Sequence, residues 1–163
     1  MGNCLRCIAL SAVFAILLST SSLSQTVDPA VGAWKLNIAK SKYDPGPPQT
    51  QSETRTIEDR GCGLILMTAE RISLKGERTF IQYVAKYDGK DYPKMVLGAK
   101  TASSISLRAI DPYTVEGTEK EDGKVTVNYI RTVSTDGKTM TQSMESTNAR
   151  GQKISRVLVF ERQ

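Results

Sequence analysis

The sequence predicts an all-β protein: an antiparallel up-and-down barrel of about eight to ten strands. Three observations carry this. After residue 25, β-branched and aromatic residues alternate with polar ones along almost the whole chain, the mark of strands with one buried face. No long stretch repeats its apolar residues at helical spacing. Asp-Gly recurs at Asp88-Gly89, Asp122-Gly123 and Asp136-Gly137, and Asp-Gly between alternating runs is the strongest short signal for a hairpin.

Taken in order, the predicted strands are Gly32 to Ile38, Gln51 to Glu58, Gly63 to Glu70, Arg78 to Tyr87, Lys94 to Gly98, Ser103 to Ile110, Thr114 to Lys120, Lys124 to Ser134, Thr139 to Ser146 and Lys153 to Arg162. Between the first two, Asp44-Pro45-Gly46-Pro47-Pro48 disfavours regular structure and reads as a stiff crossing segment. "KGE" at 75–77 and "ARG" at 149–151 supply two further turns. "EDGKVTV" and "TDGKTMT" are turns and not calcium loops, because they lack the spaced oxygen ligands and the distal acid. A meander this long, with no helix to cover it, removes its exposed edges by closing. Each strand has one apolar face, as in Ile81, Tyr83, Ala85 and Tyr87, in Ile105, Leu107 and Ala109, and in Val125, Val127, Tyr129 and Val133.

Residues 1–24 read as a cleaved export signal. Arg6 provides the positive start, Ile8 to Leu18 form an apolar run too short to span a bilayer, and Ser22 and Ser24 suit a signal peptidase. Residues 25–163 then make one domain, secreted or periplasmic, with no stable membrane anchor. That domain keeps Cys62 of the three cysteines, so no internal disulfide is expected and its stability comes from packing. The signal carries one arginine and no acid, which takes the formal charge from +5 to +4. Basic and acidic residues are interspersed, so nucleic acid is not an expected partner. The chain has no histidine, which excludes the Ser-His-Asp triad, the Cys-His pair and the commonest metal ligand. No catalytic residue, metal ligand or cofactor is expected, and a monomer is.

Two arginines break the apolar faces. Arg131 shares a face with Val125, Val127, Tyr129 and Val133, and Arg156 shares one with Ile154, Leu158 and Phe160. On a solvent face they would be ordinary; inside a barrel each must meet something negative or polar.

"VGAWKLNIAKSKYDPG", with Gly32-Ala33-Trp34, resembles the opening strand of the calycin superfamily, the lipocalins and fatty-acid-binding proteins. The last third of the chain is similar in layout to the end of the fatty-acid-binding branch. The whole also resembles small exported bacterial lipocalin-like proteins of unassigned function. The resemblance implies that Trp34 plugs the barrel end beneath a late arginine, Arg162 or Arg156. It implies also that Arg131 and Arg156 together hold a ligand carboxylate, a role to which a guanidinium fork is suited. The sequence departs from that pattern in three ways, one being that the branch is cytosolic whereas this chain carries an export signal. Leu158 stands where the branch has a tyrosine, and the Pro-rich segment replaces its helical lid.

The expected function is therefore binding of a small apolar, acidic, fatty-acid-like ligand by Arg131, Arg156, Tyr83, Tyr129, Met144 and Leu158. Met140, Gln142 and Met144 share one face, and methionine suits an adaptable lining. The alternative is an envelope interaction or scaffold module whose barrel is filled by side chains. Free space among Arg131, Arg156, Tyr83 and Met144 separates the two.

Overall fold

A computed structural model of the chain describes residues 28–148 and 151–163. The export signal read over residues 1–24 lies outside the described residues, as do 149–150 of the last predicted turn. The strands are β1 (Gly32–Leu36), β2 (Lys42–Asp44), β3 (Thr50–Asp59), β4 (Leu64–Ser73), β5 (Arg78–Lys86), β6 (Asp88–Val96), β7 (Ser103–Ala109), β8 (Thr114–Glu121), β9 (Lys124–Val133), β10 (Thr139–Thr147) and β11 (Lys153–Arg162). From β3 to β11 each strand pairs antiparallel with the next.

The barrel closes through β1. Its Trp34 pairs with Arg55 of β3 on one side and with Arg162 of β11 on the other. β2 then pairs with the earlier half of β11, with Tyr43 opposite Arg156. β1 and β2 are thus two pieces of one stave, and the barrel has ten staves. Between them lies a single 3-10 turn, Ile38–Lys40. Asn37 starts this turn by accepting from Lys40 N–H at 3.0 Å, and the Ser41 hydroxyl returns to the Asn37 carbonyl at 2.7 Å, the local competition by which short polar side chains interrupt a strand. This is why the first strand stops short of Ile38 and why a short strand, Lys42–Asp44, follows where the sequence suggests only a crossing segment.

Two further differences from the expected pattern have local causes. β6 begins at Asp88, not Lys94, and runs along β7. Its ladder with β5 covers only Ile81–Tyr83 against Lys94–Val96. It ends beside Pro93, which has no N–H to continue it. In β9 a register shift opposite Glu119 and Lys120 reverses the alternation. Val125 therefore points outward and is exposed, while Val127, Tyr129, Arg131 and Val133 point inward.

One end of the barrel is packed solid. Trp34, Ile57, Leu107, Met140 and Phe160 are all fully buried there. Trp34 Nε1 donates to the Ala30 carbonyl at 2.8 Å. The Arg162 guanidinium lies 4.3 Å above the Trp34 ring and donates to the carbonyls of Gly137, Val31 and Pro29. The late cation over the tryptophan is therefore Arg162, not Arg156. Gly32 has φ +142, and a Cβ there would run into Arg162 Nη1. The glycine of Gly-Ala-Trp thus leaves room for the arginine that covers the tryptophan. This packed end is the floor. The opposite end, ringed by the Pro-rich segment and the β4–β5, β6–β7, β8–β9 and β10–β11 connections, is the mouth.

Candidate functional site

Above the floor the inward faces enclose a cavity of about 420 Å³. Arg131, Arg156, Tyr83, Tyr129, Met144 and Leu158 all line it. Alternation and closure bring them together, although they come from four strands. Arg131 is 4 % exposed. Its Nη2 donates to Tyr87 Oη at 2.7 Å, and Tyr87 Oη donates in turn to Asp28 Oδ2 at 2.5 Å. Tyr87 lies in the reversal after β5, beside the floor, and Arg131 sits low in the cavity next to it. Arg156 enters from the mouth end of β11, with Tyr43 and Met144 as its ladder neighbours.

The wall also holds a charged network that the sequence reading does not single out. Glu53, 2 % exposed, accepts from Arg55 Nε at 2.6 Å and from Arg71 Nε at 2.7 Å. Arg55 extends the network to Gln142 Oε1 and stacks 4.1 Å from the Phe160 ring centre. Burial alone would raise the Glu53 carboxyl, but the adjacent charges of Arg55 and Arg71 outweigh it and hold it at about 2. Nearer the mouth, Lys94 donates to Glu119 at 2.7 Å.

The phenols stay neutral near neutral pH. Burial pushes Tyr83, Tyr129 and Tyr87 upward from the ordinary tyrosine value. Tyr129 is also held sterically, because its ring occupies the space a side chain at Gly117 would take. Two buried polar atoms of the wall have no hydrogen-bond partner among the described residues: Arg131 Nε and Tyr43 Oη. The Ser41 hydroxyl, which donates to the Asn37 carbonyl and accepts from the Val159 N–H, keeps one lone pair and is the protein group that acts on the Tyr43 phenol from beyond ideal hydrogen-bond geometry. Buried polar atoms are nearly always satisfied, so Arg131 Nε is an open position for a ligand atom, and Tyr43 Oη is one wherever a ligand offers a better acceptor than Ser41.

Some of this was accessible to the alternation rule and some was not. Ile65, Met67, Ala69 and Arg71 repeat the pattern that marks Arg131, an arginine at the end of an apolar face. In β3 only Ile57 is a large apolar residue, so nothing local says that Glu53 and Arg55 lie on its inward face. Tyr43 belongs to a three-residue strand beside a proline cluster, too short for alternation to show.

No protein-family model matches the chain, and no curated protein does. Solved structures do. The fluorescent protein UnaG, in its wild-type form, superposes with a TM-score of 0.56 at 15% identity, over 85% of this chain and 100% of that one. Rv2717c from M. tuberculosis superposes with a TM-score of 0.57 at 12% identity, over 83% of this chain and 93% of that one. The fold is calycin-like. The calycin-like barrel is thus shown by shape and closure, at identities where the likeness extends to fold alone.

Proposed function

We propose that this calycin-like barrel binds a small, largely apolar acid in its interior. The observation that carries the reading is the cavity itself, about 420 Å³ and within the size range of small-ligand sites. Its wall is mixed in the way such a ligand requires. Leu158, Met144, Val127 and Ile81 supply apolar surface, and cations outnumber carboxylates: Arg55, Arg71, Lys94, Arg131 and Arg156 against Glu53, Glu119 and the exposed rim residue Glu121. A barrel serving only as a scaffold has no need of that space or that excess.

Titration calorimetry with dodecanoic acid and dodecanol tests this. The parent protein takes up the acid more tightly than the alcohol. Arg131→Gln weakens the acid by about tenfold to a hundredfold, the scale of one charge-assisted hydrogen bond, and leaves the alcohol nearly unchanged. Equal loss for acid and alcohol would reduce Arg131 to a support of the fold. Failure of the parent to bind either ligand would return the protein to the scaffold reading.

The role proposed is binding and not catalysis. The chain contains no histidine, and Cys62 is an exposed thiol on the β3–β4 turn at the floor end, away from the cavity wall. Export is part of the proposal, resting on the charged start, short apolar run and small residues of positions 1–24. Protein recovered from its native cells should have a mass that places its N-terminus close to Gln25. Intact chains starting at Met1 in the membrane fraction would contradict it.

A further inference from the structure

The two arginines singled out by alternation stand at different depths. Across β10, Gln142 pairs with Arg131 on one side and with Leu158 on the other, while Met144 pairs with Tyr129 and with Arg156. Arg156 is therefore one inward position nearer the mouth than Arg131, and β10 lies between their strands.

They also differ from the other cations of the wall. Arg55 and Arg71 touch Glu53, and Lys94 touches Glu119. Among the described residues no carboxylate touches Arg131 or Arg156. Arg131 reaches Asp28 only through the Tyr87 hydroxyl, and its Nε is buried with no partner. The Arg156 side chain forms no hydrogen bond or ion pair among the described residues. Beside it across the β2–β11 ladder stands Tyr43, whose buried Oη is the other unpartnered atom. Arg71, close enough for its charge to act on Tyr43, engages Glu53 through Nε, and among the described residues its two Nη groups make no hydrogen bond. The cavity thus has two sets of unanswered donors, Arg131 at the inner level and Arg156 with Tyr43 one inward position nearer the mouth, on a wall that also carries apolar surface from Met144, Leu158 and Ile81.

We infer that the ligand is two-headed: an apolar spacer with an anionic group at each end. The inner group meets Arg131, and the outer group meets Arg156, Tyr43 and the free face of Arg71. A guanidinium fork with no internal counter-ion is matched by a carboxylate, and two such forks, one inward position apart in depth on strands separated by β10, call for two. The inference rests on the binding-barrel reading above and specifies its ligand class as linear or elongated diacids.

The test is calorimetry of the full mature chain with α,ω-diacids from decanedioic to hexadecanedioic acid, each beside the monoacid of equal length. At the best-fitting length the diacid should bind at least about tenfold more tightly than the monoacid, the gain from one further charge-assisted hydrogen-bonding site. Arg156→Gln should abolish that advantage, lowering diacid affinity at least about tenfold more than monoacid affinity, since the outer head of the diacid meets Arg156 and a single inner head meets Arg131. Tyr43→Phe, which removes only the hydroxyl, should reduce the diacid alone by a few-fold. Circular dichroism of both variants should match the parent, because among the described residues the Arg156 side chain makes no hydrogen bond or ion pair and Tyr43 Oη interacts at most weakly with Ser41. Monoacids binding as tightly as diacids at every length would overturn the two-headed inference and leave the single-acid reading standing. Equal losses for diacid and monoacid in Arg156→Gln would overturn the mouth assignment. Binding of neither series would overturn the binding-barrel reading itself.

Discussion

Glu53→Gln lowers the unfolding free energy by about 3 kcal/mol, the low end of the cost of removing one partner from a buried ion pair. Glu53 is the shared counter-ion of Arg55 and Arg71, at 2.6 and 2.7 Å. Without its charge, two guanidiniums face each other across β3 and β4, held in place by the barrel. The low end applies because the Arg71 side chain keeps 33 % exposure and can turn toward water in the cavity. The same carboxylate makes the protein acid-sensitive, with a sign that follows from its depressed value. Folded, Glu53 titrates at about 2 against an ordinary 4.5, so its stabilisation is complete above pH 4.5 and is lost as pH falls from there through about 2. The gap corresponds to roughly 3 kcal/mol, consistent with the substitution. Urea unfolding of parent and variant from pH 7 to pH 2 checks both statements. The parent should lose stability through that window, and Glu53→Gln should show a shallower loss there. A variant within about 1 kcal/mol of the parent at pH 7, with an unchanged acid limb, would remove Glu53 from the list of residues that hold the barrel together.

Trp34→Ala has a comparable or larger effect, about 3 to 5 kcal/mol, the range for deleting a buried large aromatic. Three losses combine. The floor loses its largest side chain, which is 1 % exposed; the Ala30 carbonyl loses its indole donor; and Arg162 loses the ring beneath it. All three fall on the β1 seam that closes the barrel, where Trp34 pairs with both Arg55 and Arg162. Trp34→Phe keeps an aromatic platform and costs less, but it still orphans Ala30. Because Trp34 is the sole tryptophan, fluorescence of the parent reports directly on this seam, and circular dichroism follows the variants. Thermal unfolding within a few degrees of the parent for Trp34→Ala would show that the floor does not depend on its largest residue.

The parts of the site that alternation revealed share one property: each sits in a strand with enough apolar neighbours to declare its inward face. Arg131 follows Val127 and Tyr129, and Arg156 precedes Leu158 and Phe160. Glu53 and Arg55 lie in a strand of polar residues where both faces look alike. Tyr43 lies in a strand of three residues, and Val125 was misdirected by one bulge. A period-two pattern is lost by a single inserted residue and is silent where neither face is apolar.

By itself the sequence determined the all-β class, nearly every strand, the hairpin turns and the inward pointing of two arginines, because alternation and turn chemistry act over a few neighbouring residues. Only the tertiary structure decided what those arginines face. Closure through β1 sets Trp34 beneath Arg162 and not Arg156. The β2–β11 ladder brings Tyr43 to Arg156. Arg55 meets Gln142 across 87 positions of sequence, and Arg131 meets Tyr87 across 44. Such partners are chosen by the register between strands distant along the chain. That register is fixed by the packing of the whole closed sheet, which no local pattern encodes.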